Sequence, residues 1–145
     1  MRIFSLGALS NDGACKVFDQ NANGYVRSEA CACLFLQKSK SAKRVYAKII
    51  HAKVSCDGFK KEGITFPSSK MQAKLFTEIY QESNISFSNV SYFETHGTGT
   101  KAGDPEEVKA IHRALANKCE RQLLLGSLKS NMGHAEAASG ICSII

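Results

Sequence analysis

The sequence twice places a glycine-containing histidine loop between a short apolar run and a helical pattern. Residues 90–95 (VSYFET) lead into residues 96–100 (HGTGT), and residues 123–128 (LLLGSL) lead into residues 129–134 (KSNMGH). Both apolar runs predict strands, and the second is typical of a strand covered on both faces. Alternating strands and helices predict an α/β layered fold, in which the loops after neighbouring strands share one edge of the sheet.

His96 and His134 are the candidate functional residues of these two loops. Two imidazoles brought to one sheet edge can stabilise negative charge that develops on an oxygen. The alternative is a pair of loop histidines that never meet. His51 and His112 have no such context, and we interpret them as structural or surface residues.

Two helices have recognisable beginnings in the sequence. Ser68 or Ser69 is expected to cap a helix that ends near residues 83–84. Asp104, Pro105 and Glu107 predict a second helix with a capping box. The apolar positions of the two helices are each expected on one inner face: Met71, Leu75 and Ile79 in the first, and Val108, Ile111 and Leu115 in the second.

Three further elements are predicted from apolar runs. Residues 29–37 (EACACLFLQ) and 45–54 (VYAKIIHAKV) have the length and composition of strands. A last helix, rich in small residues, is expected from about Ala135. Because the sequence stops on the apolar residues 141–145, we expect the chain to be a fragment cut inside that helix.

Two motifs resemble ligand loops without fitting them. Residues 97–102 match the dinucleotide-binding pattern G-x-G-x-x-G/A, but the predicted helix starts after the glycines and Asp104 would oppose a pyrophosphate. Residues 19–24 resemble the start of a calcium loop, yet its twelfth position is Ala30 and Glu29 comes one residue early. We therefore expect no metal site and a tight turn at residues 19–24.

Composition and charge favour a globular protein. The 145 residues are 43% hydrophobic and 22% charged, with a net charge of +6. The basic residues are scattered, which disfavours nucleic-acid binding and indicates a solvated face, with docking of an acidic carrier as the alternative. No apolar run is long enough to cross a membrane. The N-terminal residues have too little basic and apolar character for a signal peptide, which predicts a cytoplasmic protein.

The six cysteines do not form a zinc or redox motif, because no C-x-x-C occurs. Cys31 and Cys33 lie two apart in an apolar run and are expected to be buried small hydrophobes. Without a secretory signal, no disulfides are expected. The six residues are Cys15, Cys31, Cys33, Cys56, Cys119 and Cys142.

Several segments together carry a resemblance to one family. They are Phe18-Asp19 and residues 23–29 (NGYVRSE), 57–60 (DGFK), 63–68 (GITFPS), 94–100 (ETHGTGT), 103–105 (GDP) and 126–134 (GSLKSNMGH). The sequence resembles the β-ketoacyl synthase domain of animal-type multifunctional fatty acid synthases, which are thiolase-like condensing enzymes. This implies a partial αβαβα fold, with residues 1–43 ending the N-terminal half and residues 44–145 forming a truncated C-terminal half.

The resemblance also implies a reaction and its residues. The reaction is decarboxylative Claisen condensation of an acyl-cysteine with malonyl-acyl carrier protein, in which His96 and His134 stabilise the enolate. Lys129 would help to polarise the site. The phosphopantetheine arm of the carrier, the one cofactor implied, would contact the substrate-binding set Thr98, Thr100, Gly97, Gly99, Asn131 and Gly133.

The resemblance leaves one part of the site without a residue. None of the six cysteines has the small-residue turn that holds the family nucleophile, so the isolated chain is expected to be inactive in condensation. Asp104 and Glu107 are assigned to helix capping. A homodimer in the parent enzyme is implied. A polyketide synthase fragment and a non-catalytic module that binds an acyl carrier remain as alternatives.

Overall fold

The computed structural model describes residues 8–116 and 122–145. Its helices and strands alternate from the middle of the chain onward, in the order α1 Ser69–Ser83, β1 Tyr92–Glu94, α2 Gly103–Ile111, β2 Leu124–Gly126, α3 Lys129–Met132 and α4 Ser139–Ile144. Short 3₁₀ turns lie at Ser39–Ser41, Phe87–Asn89 and Glu136–Ala138, and α2 continues into a π-helical turn at His112–Ala116. The predicted helix after Ala135 is therefore confirmed, with a 3₁₀ turn before it.

The two predicted strands flanking the histidine loops are confirmed, although both are short. Strands β1 and β2 pair in parallel, with Phe93 opposite Leu125 in the register. Parallel neighbours need a crossover, which α2 supplies, so the loops after β1 and β2 leave the same edge of the sheet. Leu124 is 63% exposed, so the expected coverage of β2 on both faces is wrong for the described chain.

Helix α1 begins and ends as its sequence predicts. The Ser68 hydroxyl accepts a hydrogen bond from the Met71 N–H at 3.3 Å. Asn84 ends the helix with a left-handed φ of 53°. The face that meets the core differs from the predicted one, because Phe76 and Tyr80 carry the rings that reach α2 and β1.

The hydrophobic core lies where α1, α2 and β1 meet. Ile111 and Leu115 are 4% and 0% exposed, as predicted, and Phe76 meets Phe93 edge to face at 5.2 Å. Val108 is 37% exposed, so its predicted place on the inner face is wrong. Burying these apolar side chains is the main term that fixes β1 and α2 relative to each other.

The predicted strands at residues 29–37 and 45–54 are not formed. Neither segment has a ladder partner among the described residues, and the chain bends at Tyr46. Phe35 and Val54 are 90% and 94% exposed. A strand forms only where a neighbour accepts and donates its backbone hydrogen bonds, so strand propensity alone did not decide these segments.

Charged side chains, rather than a sheet, attach residues 45–54 to α1. Lys53 Nζ lies 2.8 Å from Glu78 and also contacts Glu82, and His51 Nε2 lies 2.9 Å from Glu82. The interpretation of His51 as a surface residue therefore fits its position. These exposed pairs contribute little to stability, because water screens them.

The cysteines differ from one another in burial. Cys31 and Cys33 are exposed free thiols, so their predicted burial is wrong, for the same reason that their strand is not formed. Cys15 is buried, and Cys119 lies outside the described residues. Among the helices of residues 8–116 and 122–145, none combines the length and the apolar character that a membrane span requires.

Candidate functional site

The structure brings His96 and His134 together at the shared sheet edge. Their ring centroids lie 5.3 Å apart and the rings are nearly perpendicular, at 83°. His96 follows β1 after one residue, Thr95, whose N–H continues the ladder to the Gly126 carbonyl at 2.8 Å. The loops hold the rings close because they start from paired, parallel strands.

The loop between β1 and α2 is held by two carboxylates of α2. Glu107 accepts the N–H groups of His96 and Gly97 at 2.6 and 2.9 Å. Asp104 accepts those of Thr98, Gly99 and Thr100 at 3.1–3.3 Å. Five successive peptide N–H groups, from His96 to Thr100, therefore end on two carboxylates.

The assignment of Asp104 and Glu107 to helix capping is thus wrong. Helix α2 starts at Gly103, with Ala102 as N-cap and no side-chain capping bond. The first N–H groups of α2, those of Gly103 and Asp104, already donate to the Thr100 hydroxyl and carbonyl, so the carboxylates bind the N–H groups of the preceding loop instead. Two acids three apart just after a glycine loop could have signalled this arrangement.

The same hydrogen bonds explain why the dinucleotide pattern is not a nucleotide site. In a dinucleotide loop the glycine N–H groups are free to meet pyrophosphate. Here Asp104 and Glu107 already occupy these groups, and Asp104 also accepts the Phe18 N–H at 3.0 Å. A phosphate would have to displace two buried carboxylates of its own sign.

Gly99 is required by the close approach of this loop to a neighbouring segment. Its φ is +77°, and a Cβ there would lie 2.7 Å from the backbone nitrogen of Lys16. The Gly99 carbonyl also accepts the Gly24 N–H at 3.0 Å. The turn at residues 19–24 therefore packs against the loop of residues 96–100. Within residues 8–116 and 122–145, no group of three or more potential metal ligands is found.

His134 is fixed by the segment that contains Val26. The His134 N–H donates to the Val26 carbonyl at 2.8 Å, and the Ser28 N–H donates to the His134 carbonyl at 3.0 Å. The Tyr25 ring lies 5.0 Å from the imidazole. Because the Glu136 N–H donates to Nδ1 of His134 at 2.9 Å, Nδ1 is the acceptor and the ring proton lies on Nε2.

The electrostatics of the site favour neutral histidines. Desolvation, followed by the charges of Lys129 and His134, lowers the pKa of His96 to about 4. Desolvation also lowers the pKa of His134, the Glu136 charge opposes this shift, and the Lys129 charge supports it. At neutral pH both rings are therefore uncharged, and each has one N–H to donate.

Lys129 is buried, with 4% of its surface exposed, at the start of α3. Burial raises the pKa of the Glu107 carboxyl, and the Lys129 charge opposes that rise. Lys129 thus acts on the electrostatics of both histidines and of the carboxylate that holds the His96 loop. The family resemblance assigned Lys129 to the site, and its role in the reaction stays a prediction.

A cavity of about 940 Å³ opens beside the loop that carries His96. His96, Thr98 and Thr100 contribute to its wall, and the two threonine hydroxyls lie 3.2 Å from each other. Of the other predicted binding residues, Asn131 is exposed on α3 and Gly133 packs against Val26. Neither lines this cavity, and Gly97 packs against Ser127 behind it.

Sequence reasoning missed four residues of the site. Asp104 and Glu107 were assigned to another task, and Tyr25 and Glu136 were not singled out. Tyr25 lies more than a hundred residues from its partner Glu136, and its hydroxyl donates to that carboxylate at 3.2 Å. Such a contact has no local signal in the sequence.

Comparison with known proteins identifies the family. Residues 46–145 match the model of the β-ketoacyl synthase C-terminal domain, and residues 2–42 match that of the N-terminal domain. The chain is 50% identical over 145 residues to a fatty acid synthase of the goose Anser anser anser, covering 99% of this chain and 41% of the goose protein. It is 43% identical to a highly reducing polyketide synthase of Hypocrea virens, covering 96% of this chain and 6% of the fungal protein.

A solved structure shares the fold. The ketosynthase from module 6 of the bacillaene synthase of Bacillus subtilis 168 superposes with a TM-score of 0.92 at 40% identity, over 98% of this chain and 27% of that one. The expected thiolase-like fold class is thereby confirmed. A family model covers more than two thirds of the sequence, and both histidine loops lie within it, so the chain belongs to the β-ketoacyl synthase family of condensing enzymes.

Proposed function

We propose that this chain supplies the decarboxylation site of a fatty acid synthase ketosynthase. The observation that carries the proposal is the pair of neutral imidazoles, His96 and His134, at 5.3 Å from each other. A decarboxylating malonyl thioester loses CO₂, and the bonding electrons move into an enolate whose oxygen becomes negative. Two N–H donors aimed at that oxygen lower the barrier, because they interact more strongly with the enolate than with the thioester carbonyl.

The roles of the surrounding residues follow from their positions. The Nε2–H of His134 is free to donate because Nδ1 is occupied by the Glu136 N–H. Lys129 favours the neutral state of both rings by its positive charge. Thr98 and Thr100 line the cavity, and in this proposal their hydroxyls bind the amide groups of the phosphopantetheine arm.

The acyl-holding half of the reaction needs a thiolate nucleophile. Of the described cysteines, Cys15 is buried, Cys142 is partly buried, and Cys31, Cys33 and Cys56 are exposed, while Cys119 lies outside the described residues. A nucleophile needs a positioned base or an electropositive pocket, and the hydrogen bonds found for the thiols of Cys15 and Cys56 involve backbone groups. We therefore propose that condensation needs a cysteine outside residues 1–145.

The fatty acid substrate is preferred over a polyketide substrate on the basis of identity. The goose fatty acid synthase is 50% identical to the chain, and the fungal polyketide synthase is 43% identical. An acyl carrier protein domain delivers the thioesters in this proposal, and the complete enzyme is a cytoplasmic homodimer. Residues 1–43 and 44–145 would belong to the two halves of its ketosynthase domain.

Release of CO₂ from malonyl-pantetheine tests the proposal, since decarboxylation does not need the nucleophile. In the complete polypeptide, His96→Ala is expected to slow CO₂ release by about 10²- to 10³-fold, because one oxyanion donor is lost. His112→Ala is the matched control, since His112 is exposed at the end of α2 and should not change the rate.

An undiminished rate in the His96→Ala variant would contradict the assignment. Carrier binding with no CO₂ release by the wild-type protein would favour the non-catalytic carrier-binding module. The identity of the product made by the complete polypeptide separates the fatty acid and polyketide alternatives.

A further inference from the structure

Glu136 has a backbone conformation that its residue type disfavours. Its φ is +48°, in the left-handed region, although it has a full side chain and lies two residues after His134. L-amino acids other than glycine, asparagine and aspartate rarely adopt this region without a compensating interaction. The conformation therefore points to contacts that hold it.

The conformation links the Glu136 side chain to a contact of its backbone. The Glu136 N–H donates to Nδ1 of the His134 imidazole at 2.9 Å, and φ sets where the carboxylate lies relative to that peptide plane. A neutral imidazole exchanges its proton between two nitrogens, and an N–H donor at Nδ1 is compatible with one of the two tautomers. The backbone of residue 136 therefore selects the form of His134 whose Nε2 carries the proton.

The contacts that hold Glu136 come from the segment packed under His134. Oε1 of Glu136 lies 3.2 Å from the Tyr25 hydroxyl and 3.1 Å from Nε of Arg27. The Tyr25 ring lies 5.0 Å from the imidazole, and Arg27 forms a backbone bridge with His134 itself. The carboxylate is thus tied to the two residues that flank Val26, the acceptor of the His134 N–H.

We propose that Glu136 is a positioning residue whose carboxylate, bound by Tyr25 and Arg27, holds its own peptide N–H against Nδ1 of His134 and so fixes the Nε2–H tautomer. Tyr25 and Glu136 form a clamp on the turn that follows the histidine. The inference rests on the proposed function only for the use made of that tautomer, since the Nδ1–H form would present a lone pair to the enolate oxygen.

A simple surface ion pair is the competing interpretation. The Arg27 and Glu136 side chains are both about half exposed, and exposed pairs contribute little to the stability of a fold. Removing a surface pair would leave the tautomer of a neighbouring histidine unchanged. The tautomer is therefore the readout that separates the two interpretations.

The experiment measures the ring nitrogens of His134 by two-bond ¹H–¹⁵N correlation in the full chain, labelled with ¹⁵N-histidine, at pH 8. A His134→Gln spectrum assigns the signals. In the wild type, the Nε2–H tautomer should dominate. Alanine disfavours a positive φ as glutamate does, but it lacks the carboxylate that holds this conformation. In Glu136→Ala, the Nδ1–H fraction should therefore rise at least threefold.

Two further variants keep the test decisive if Glu136→Ala fails to fold. Glu136→Gly adopts a positive φ freely and should restore part of the wild-type tautomer preference. Tyr25→Phe removes one hydroxyl and should shift the tautomer ratio less than Glu136→Ala. Glu62→Ala, at an exposed glutamate, is the matched control and should leave the ratio unchanged.

The inference is overturned if the Nδ1–H fraction in Glu136→Ala or Tyr25→Phe equals that of the wild type while the His96 signals show an intact site. The CO₂-release rate of the same variants is measured in parallel. A shifted tautomer in Glu136→Ala, together with a wild-type protein that releases no CO₂, supports the positioning role and contradicts the proposed function. An unshifted tautomer in Glu136→Ala, together with a wild-type protein that releases CO₂, does the reverse.

Discussion

Replacing Glu107 by glutamine turns one carboxylate oxygen into an NH₂ group and so removes one of the two hydrogen-bond acceptors. The carboxylate accepts the His96 N–H at 2.6 Å and the Gly97 N–H at 2.9 Å. Glutamine keeps one oxygen but turns an NH₂ group toward the other N–H, so a donor faces a donor at a site that is 9% exposed. A hydrogen bond to a charged group contributes about 1.5–3 kcal/mol, and an unpaired buried N–H costs about 1–3 kcal/mol.

Since the two terms overlap, we expect Glu107→Gln to lower the free energy of unfolding by about 3 kcal/mol. Urea denaturation measures the global loss, and hydrogen exchange at the His96 and Gly97 amides measures the local one. Glu107→Asp keeps both oxygens on a shorter side chain and should lose less. Glu62→Gln, at an exposed glutamate, is the control.

Equal destabilisation by Glu107→Gln and Glu62→Gln would contradict this role of Glu107. Unchanged hydrogen exchange at the His96 and Gly97 amides would also contradict it, because both N–H groups would then have other acceptors. CO₂ release should fall with the loss of loop order, since His96 is the residue that this loop carries.

Three more predictions follow from the same geometry. Gly99→Ala should cost at least about 1–3 kcal/mol, from the left-handed φ alone, with the overlap at Lys16 added, and should lower the Tm in calorimetry. Because the pKa of His96 is lowered to about 4 in the folded protein, the unfolded chain binds a proton at this residue at higher pH. The free energy of unfolding should therefore fall as the pH drops from about 6.5 toward 4. Urea titrations across this pH range measure the fall, which should be weaker in His96→Gln. Lys129→Met removes a charge that disfavours protonation, so the pKa of both histidines should rise in an NMR titration, and unchanged values would contradict the electrostatic role.

The parts of the fold that the sequence predicts are those decided by local chemistry. Ser68 caps α1 and Asn84 ends it because a hydroxyl and a left-handed residue act within a few positions. The strands before His96 and His134 were found because an apolar run, a glycine loop and a helix follow one another in each case. Burial of Ile111 and Leu115 followed from helical spacing.

The failures concern interactions that depend on distant partners. Residues 45–54 have strand composition, but their described contacts to α1 are charged side chains rather than a backbone ladder. Asp104 and Glu107 have the spacing of a capping box, yet the unmet N–H groups of the preceding loop attract both carboxylates. Sequence spacing identified acids near a helix start, and only the folded loop shows which donors they meet.

The site was predicted in the same uneven way. The sequence was sufficient to expect His96 and His134 at one sheet edge, because parallel strands deliver their following loops to the same side. It did not identify Glu136, whose action on His134 depends on a φ of +48° and on a tyrosine hydroxyl from a distant segment.

A crystal structure of the complete polypeptide with a malonyl thioester analogue that cannot lose CO₂ would show where the reacting carbonyl group lies. We expect the thioester carbonyl oxygen at about 2.7–3.1 Å from Nε2 of His134 and from one ring nitrogen of His96. Soaking the His96→Ala variant under the same conditions shows whether the pose depends on both rings. A carbonyl oxygen bound away from both histidines, with the analogue otherwise ordered in the cavity, would contradict the assignment of the pair.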